Sequence, residues 1–134
     1  MIEQITKWIS KAVPAPTEKN MSVQIGCHFE EVAEMMEALG LDAYAKSVHE
    51  LADSFKSNRI AYTVNRQELL DSLADQIVTA TGVAHMFELN IQGACEEVNA
   101  SNWSKFVDGE PVFDANGKIA KGPNYFKPDL TKYV

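Results

Sequence analysis

Between residues 20 and 42 the chain carries four glutamates, Glu30, Glu31, Glu34 and Glu37, and no lysine or arginine. At about 100° per residue, a helix with Glu30 at zero puts Glu31 near 100°, Glu34 near 40° and Glu37 near 340°. Like charges three and four residues apart on a helix repel, so this face calls for solvent or for cations. The theme returns later. Across residues 69–87 only Asp71 and Asp75 are charged, spaced i, i+4, and Glu68 precedes Asp71 by three. Aspartate is a weak helix former, so two of them in mid-helix carry a local cost. As plain solvated faces, both helices would be expected to mix signs. If instead they meet across a bundle core, cations must sit between them. Carboxylate ligands select Mg²⁺, Mn²⁺ or Ca²⁺ over zinc. An EF-hand is excluded by the absence of D-x-D-x-D-G spacing, and neither acidic helix offers the Glu-x-x-His of a di-iron bundle.

The pattern around these segments is helical. Ile2, Ile5, Trp8 and Ile9 form one stripe of a helix over residues 2–12, which Pro14 and Pro16 then stop. Ser22 is expected to cap a second helix running to about residue 39, with Gly40 ending it. Asp42 would cap a third, to about residue 57. Asn65 would cap a fourth, with Glu68 in the capping-box position; it runs to about residue 89 and contains Gly82, read as a bend or a close approach. A fifth spans about 91–106. Beyond Phe106, DGEP, DANGK, KGPNY and KPDL are turn chemistry. Val112 and Phe113 are placed to pair with Ile119 across Asn116-Gly117. The expectation is one all-α domain over residues 1–134: a helical bundle of four to five helices (1–106) and an irregular, loop-rich C-terminal tail (107–134) held against the bundle or another subunit.

Charge divides along the same line. Residues 1–98 hold 15 acids against 7 bases, and residues 99–134 hold 4 against 5. The net charge of −7 disfavours general nucleic-acid binding. The most charge-poor stretch still contains Asp71 and Asp75, which argues against a membrane span. MIEQITKWIS has no basic region followed by an apolar core, so no secretory signal is expected. Cys27 and Cys95 form no CxxC pair and read as small core thiols of a reducing, cytoplasmic compartment.

Glu30-Glu31-Val-Ala-Glu34 resembles the EExxE motif of the all-α nucleoside triphosphate pyrophosphohydrolases, the superfamily of MazG, dimeric dUTPases and phosphoribosyl-ATP pyrophosphohydrolase. The later segment Leu-Leu-Asp71-Ser-Leu-Ala-Asp75 is similar to the second, ExxD-bearing helix of MazG-type proteins. There Ser72 stands where the family has glutamate, and Asp71 matches the preceding acid. The stretch Glu97-Val-Asn99-Ala-Ser101-Asn102-Trp-Ser104-Lys105-Phe and its glycine-rich sequel resemble phosphoribosyl-ATP-pyrophosphohydrolase-like proteins. Together the matches cover roughly residues 25–130.

The resemblance implies a Mg²⁺-dependent hydrolase, with Mn²⁺ as a substitute. Water attacks the α-phosphorus of a nucleoside triphosphate, or of a phosphoribosyl-ATP-like substrate, giving a monophosphate and pyrophosphate. On that reading Glu30, Glu31, Glu34, Asp71 and Asp75 bind metal, and Glu30, Glu31 or Asp71 supplies the general base. Asn102, Lys105, Lys118 and Lys121 bind substrate, the two tail lysines closing over the phosphates. A homodimer or homotetramer is implied. The competing reading is a non-catalytic nucleotide-binding or helical interaction module on the same fold. His28, His49 and His85 read as surface or core histidines, Trp8 as core, and Met35 and Met36 as core or subunit-interface packing.

Overall fold

The computed structural model describes residues 1–134 and contains five α-helices: α1 (Ile2–Ala12), α2 (Glu18–Ala38), α3 (Asp42–Lys56), α4 (Arg66–Met86) and α5 (Ile91–Trp103). A short 3-10 turn, Thr131–Tyr133, closes the chain. There are no β-strands, and no helix is long and apolar enough to cross a membrane. The all-α expectation holds. The chain packs as two compact units. One contains α2, α3 and the segment Phe113–Ile119; the other contains α1, α4, α5 and the rest of the tail.

The helix ends follow local chemistry. Residue 17, not Ser22, caps α2. The Thr17 hydroxyl accepts from the Asn20 amide at 3.2 Å, and Asn20 Oδ1 accepts from the Thr17 amide at 2.9 Å, a reciprocal capping box. Ser22 is instead buried inside α2, where its hydroxyl donates to the Phe55 carbonyl at 2.7 Å. α3 begins after Leu41 without a side-chain cap, so Asp42 is its first residue and not its cap. Asn65 caps α4 as expected, accepting from the Glu68 amide. Helices α2, α3 and α4 all end in the same left-handed closure, with Gly40, Asn58 and Glu88 at positive φ. At α2 the Gly40 amide donates to Glu37 and the Leu41 amide to Met36; Asn58 and Arg59, and Glu88 and Leu89, repeat the pattern.

In the first unit α2 and α3 lie antiparallel, sealed by small residues. Ser22, Gly26 and Ala33 of α2 and Ala45 and Ala52 of α3 are all buried. At Gly26 the helices approach so closely that a Cβ would stand 2.7 Å from the Ala52 carbonyl oxygen and 2.9 Å from the Lys56 nitrogen. Phe29 stacks on Phe55, and Tyr62 tilts against the same ring.

The second unit is held by aromatics and by its tail. Trp8 is buried and stacks on Phe106, which Trp103 meets edge-on. The tail is stitched along α5. Buried Ser101 donates to the Phe126 carbonyl at 2.7 Å, and Ser104 accepts from the Phe126 amide. The Gly122 amide donates to the Lys105 carbonyl, Glu97 accepts from the Asp129 amide, and the Asn90 amide donates to the Tyr133 carbonyl. The Tyr133 ring lies over Gly93, where no Cβ would fit. Helix α4 ends at Met86, short of residue 89, and α5 ends at Trp103. Gly82 makes no close approach: nothing lies within 4 Å of its Cβ position.

Candidate functional site

The acidic arc of α2 is divided by the helix seam. Viewed down the helix axis, the buried Ser22, Gly26 and Ala33 share one side. Glu37 and Glu30 flank that side, Glu34 lies further round, and Glu31 points away from it. The two glutamates nearest the seam reach groups on α3. Glu37 pairs with His49 at 2.8 Å, and Glu30 with Lys56 at 2.9 Å. Glu31 and Glu34 are exposed. No base stands among these acids in the sequence; folding brings the bases from elsewhere.

Glu30 has a second cation. Lys118 of the tail donates to Glu30 Oε2 at 2.9 Å, while Lys56 donates to Oε1. Each carboxylate oxygen is thus held by its own ammonium group. The Glu30 and Lys56 side chains are only 20% and 19% exposed, whereas Lys118 is 47% exposed. Burial alone would push the Glu30 carboxyl up; the hydrogen bonds from Lys118 and Lys56 outweigh it and hold the group below its usual range. The Lys118 ammonium is correspondingly raised by its hydrogen bond to Glu30, against some burial. The nearby Cys27 thiol is pushed up, chiefly by burial, which disfavours its thiolate. Both cysteines are free.

Lys118 arrives on a preformed turn. Asp114 Oδ1 accepts from the Asn116 and Lys118 amides at 2.9 and 3.0 Å, Gly117 adopts φ +79°, and Phe113 bridges Ile119. This is the small hairpin expected across Asn116-Gly117, reduced to a single bridge.

Asp71 and Asp75 lie one turn apart and exposed on α4, within the other unit. Leu69, Leu70, Leu73 and Ile77 form an exposed apolar stripe about 100° wide, on the side of α4 opposite the two aspartates. Lys105 stands over the Trp8 ring at 5.9 Å and Lys121 over the Tyr125 ring at 5.0 Å. Asn102 is half-buried on α5. The serines of the Asn-x-Ser-Asn-x-Ser segment fasten the tail, a role that sequence spacing does not announce. Met35 is exposed, as are His28, His85 and Trp103.

The donor chemistry of Glu31 and Glu34 suits a hard divalent cation. Glu30 has a lysine on each oxygen, and the two ammonium groups oppose a further cation beside it. No three His, Cys, Asp or Glu side chains converge on a point where one ion would be held. No family model, no curated protein and no solved structure matches this chain.

Proposed function

We propose that the protein is a Mg²⁺-dependent nucleotide pyrophosphohydrolase acting as a homodimer or homotetramer. The observation that carries this reading is the meeting of Lys118 with Glu30 across 88 residues of sequence. An enzyme of this kind must bring a cation-binding acidic face and a phosphate-binding lysine to one place. Lys118 from the glycine-rich tail ends at the first glutamate of Glu-Glu-x-x-Glu.

On this reading Glu31 and Glu34 would be the metal-binding acids of α2, and Asp71 and Asp75 are the acids to which the same role is given on α4. Mg²⁺ held there would supply charge neutralisation of phosphate oxygens and a water of lowered pKa. Lys118 binds a non-bridging phosphate oxygen, and a carboxylate not saturated by metal accepts the proton of the attacking water. The water oxygen bonds to the α-phosphorus as the α–β bridging P–O bond breaks, and pyrophosphate leaves. The exposed apolar stripe of α4 supports self-association. Contiguous uncovered apolar faces mark interaction surfaces, and a second copy of the same helix has the matching chemistry.

Incubation with a panel of NTPs, dNTPs and phosphoribosyl-ATP plus Mg²⁺ tests the reading by pyrophosphate release. Glu34→Gln and Asp75→Asn should each lower the rate at least about 100-fold, because losses in the outer shell of a metal site alone cost about 10–100-fold. Unchanged rates in both variants would remove the assigned ligands. The competing reading is a nucleotide-binding module without turnover, which would use the same Lys118–Glu30 meeting for binding alone. Tight nucleotide binding with no pyrophosphate released would establish it.

A further inference from the structure

The two lysines on Glu30 are not equivalent. Lys56 belongs to α3, and its backbone is pressed against α2 at Gly26. Its ammonium is largely sheltered, with Asp53 as a second carboxylate at 3.5 Å. Its backbone and ammonium are thus both placed by the α2–α3 seam. Lys118 sits on a hairpin whose hydrogen bonds run mostly within itself: the Asn116 and Lys118 amides donate to the Asp114 carboxylate and the Gly117 amide to the Asp114 carbonyl. Its pair with Glu30 is half in solvent, where such pairs are weak and exchangeable. Lys19 of α2 lies beside the hairpin tip, its Cε 3.9 Å from the Gly117 Cβ position.

We propose that the Phe113–Ile119 hairpin is an anion-released strap: Lys118 latches it to Glu30, and an oligophosphate competes for that ammonium and opens it. A phosphate chain offers Lys118 several charged oxygens where Glu30 offers one. Release leaves Glu30 on Lys56 and frees Oε2. The turn moves as a piece, because its internal hydrogen bonds do not depend on the latch. The strap thus couples the arrival of a phosphate chain to the uncovering of a carboxylate oxygen on the acidic face. The choice of an oligophosphate as the ligand rests on the pyrophosphohydrolase reading; the latch itself rests on the ion pairs.

The test is paramagnetic relaxation in the full-length chain. A nitroxide is placed at Asn116→Cys in a Cys27→Ala, Cys95→Ala background, and amide broadening is read along α2 from Ile25 to Glu31. Tripolyphosphate without metal is the probe. Latched protein should show strong broadening that falls several-fold on adding tripolyphosphate. Lys118→Met should show the relieved pattern from the outset, with no further response, and Glu30→Gln should behave likewise. Broadening that persists at millimolar tripolyphosphate, or that Lys118→Met leaves intact, overturns the proposal. Pyrophosphate release is measured separately. A strap that opens in a protein without turnover keeps the latch and removes the enzyme reading; turnover with an unmoved strap does the reverse.

Discussion

Helices α2 and α4 are both 21 residues long, both begin on a side-chain cap, and both carry acids with little local neutralisation. Their surroundings differ sharply. α2 buries Ser22, Val23, Gly26 and Ala33 and sends two of its glutamates to partners on α3. α4 buries only Ala84 and leaves Leu70 70% and Ile77 51% exposed. A helix gains most of its stability from the face it buries, not from propensity. α2 therefore has its stabilising contacts within its own chain, while the apolar stripe of α4 still lacks a counterpart there. Small residues make the difference. Gly26, Ala45 and Ala52 let two backbones approach, whereas the leucines of α4 need a surface of comparable size to cover them.

Charging the stripe should break the contrast most visibly. Leu70→Glu with Ile77→Glu should leave helicity intact but weaken self-association by about 100-fold or more, because buried charges at an interface centre are strongly disfavoured. Light scattering over a concentration series reads this. A wild-type chain that is monomeric throughout would remove the second copy from the proposal.

A matched pair of glycine substitutions sharpens the same comparison. In Gly26→Ala the new methyl meets backbone atoms of α3 that cannot step aside. The loss should be about 2–3 kcal/mol by chemical denaturation, within the range of overpacked cores. Gly82→Ala meets nothing within 4 Å and should gain about 0.5–1 kcal/mol, the ordinary helix preference for alanine. A gain in both variants would mean that the seam lies elsewhere.

The Glu30 network predicts a pH signature for the α2–α3 unit. The Glu30 carboxyl lies below its ordinary 4.5, so its contribution is present above 4.5 and is lost as pH falls through the lower folded value. Lys56 and Lys118 lie above their ordinary 10.5, so theirs is present below 10.5 and is lost as pH rises through the folded values. Stability relative to Glu30→Gln should therefore stay level between those limits and converge with it outside them. The Lys118 share should be small, about 0.2–1 kcal/mol, given its exposure. The smallest effect belongs to the end of α4. Glu88 holds φ +58° where glycine is usual, so Glu88→Gly should stabilise by no more than about 1 kcal/mol.

Much of the helical plan was written in local chemistry. Pro14 and Pro16 end α1 where expected, Gly40 ends α2, Asn65 opens α4, and Asn116-Gly117 turns the hairpin. The Thr17–Asn20 box was missed because asparagine replaces the glutamate or glutamine that marks such caps, which left Ser22 as the apparent signal. The site was less legible. Glu-Glu-x-x-Glu is visible as an acidic arc, but which acids flank a seam depends on where Gly26 and Ala33 point. The lysines on Glu30 come from 26 and 88 residues away. No periodicity within α2 encodes them.

The order of segments in the two units has a consequence for synthesis. Helices α2 and α3 are neighbours in sequence and can close on each other soon after residue 62 leaves the ribosome. Trp8 is translated well before them, yet its stacking partner is Phe106. Until residue 106 has been made, the apolar stripe of α1 has no mate, and Trp8 stays uncovered on the growing chain through that interval.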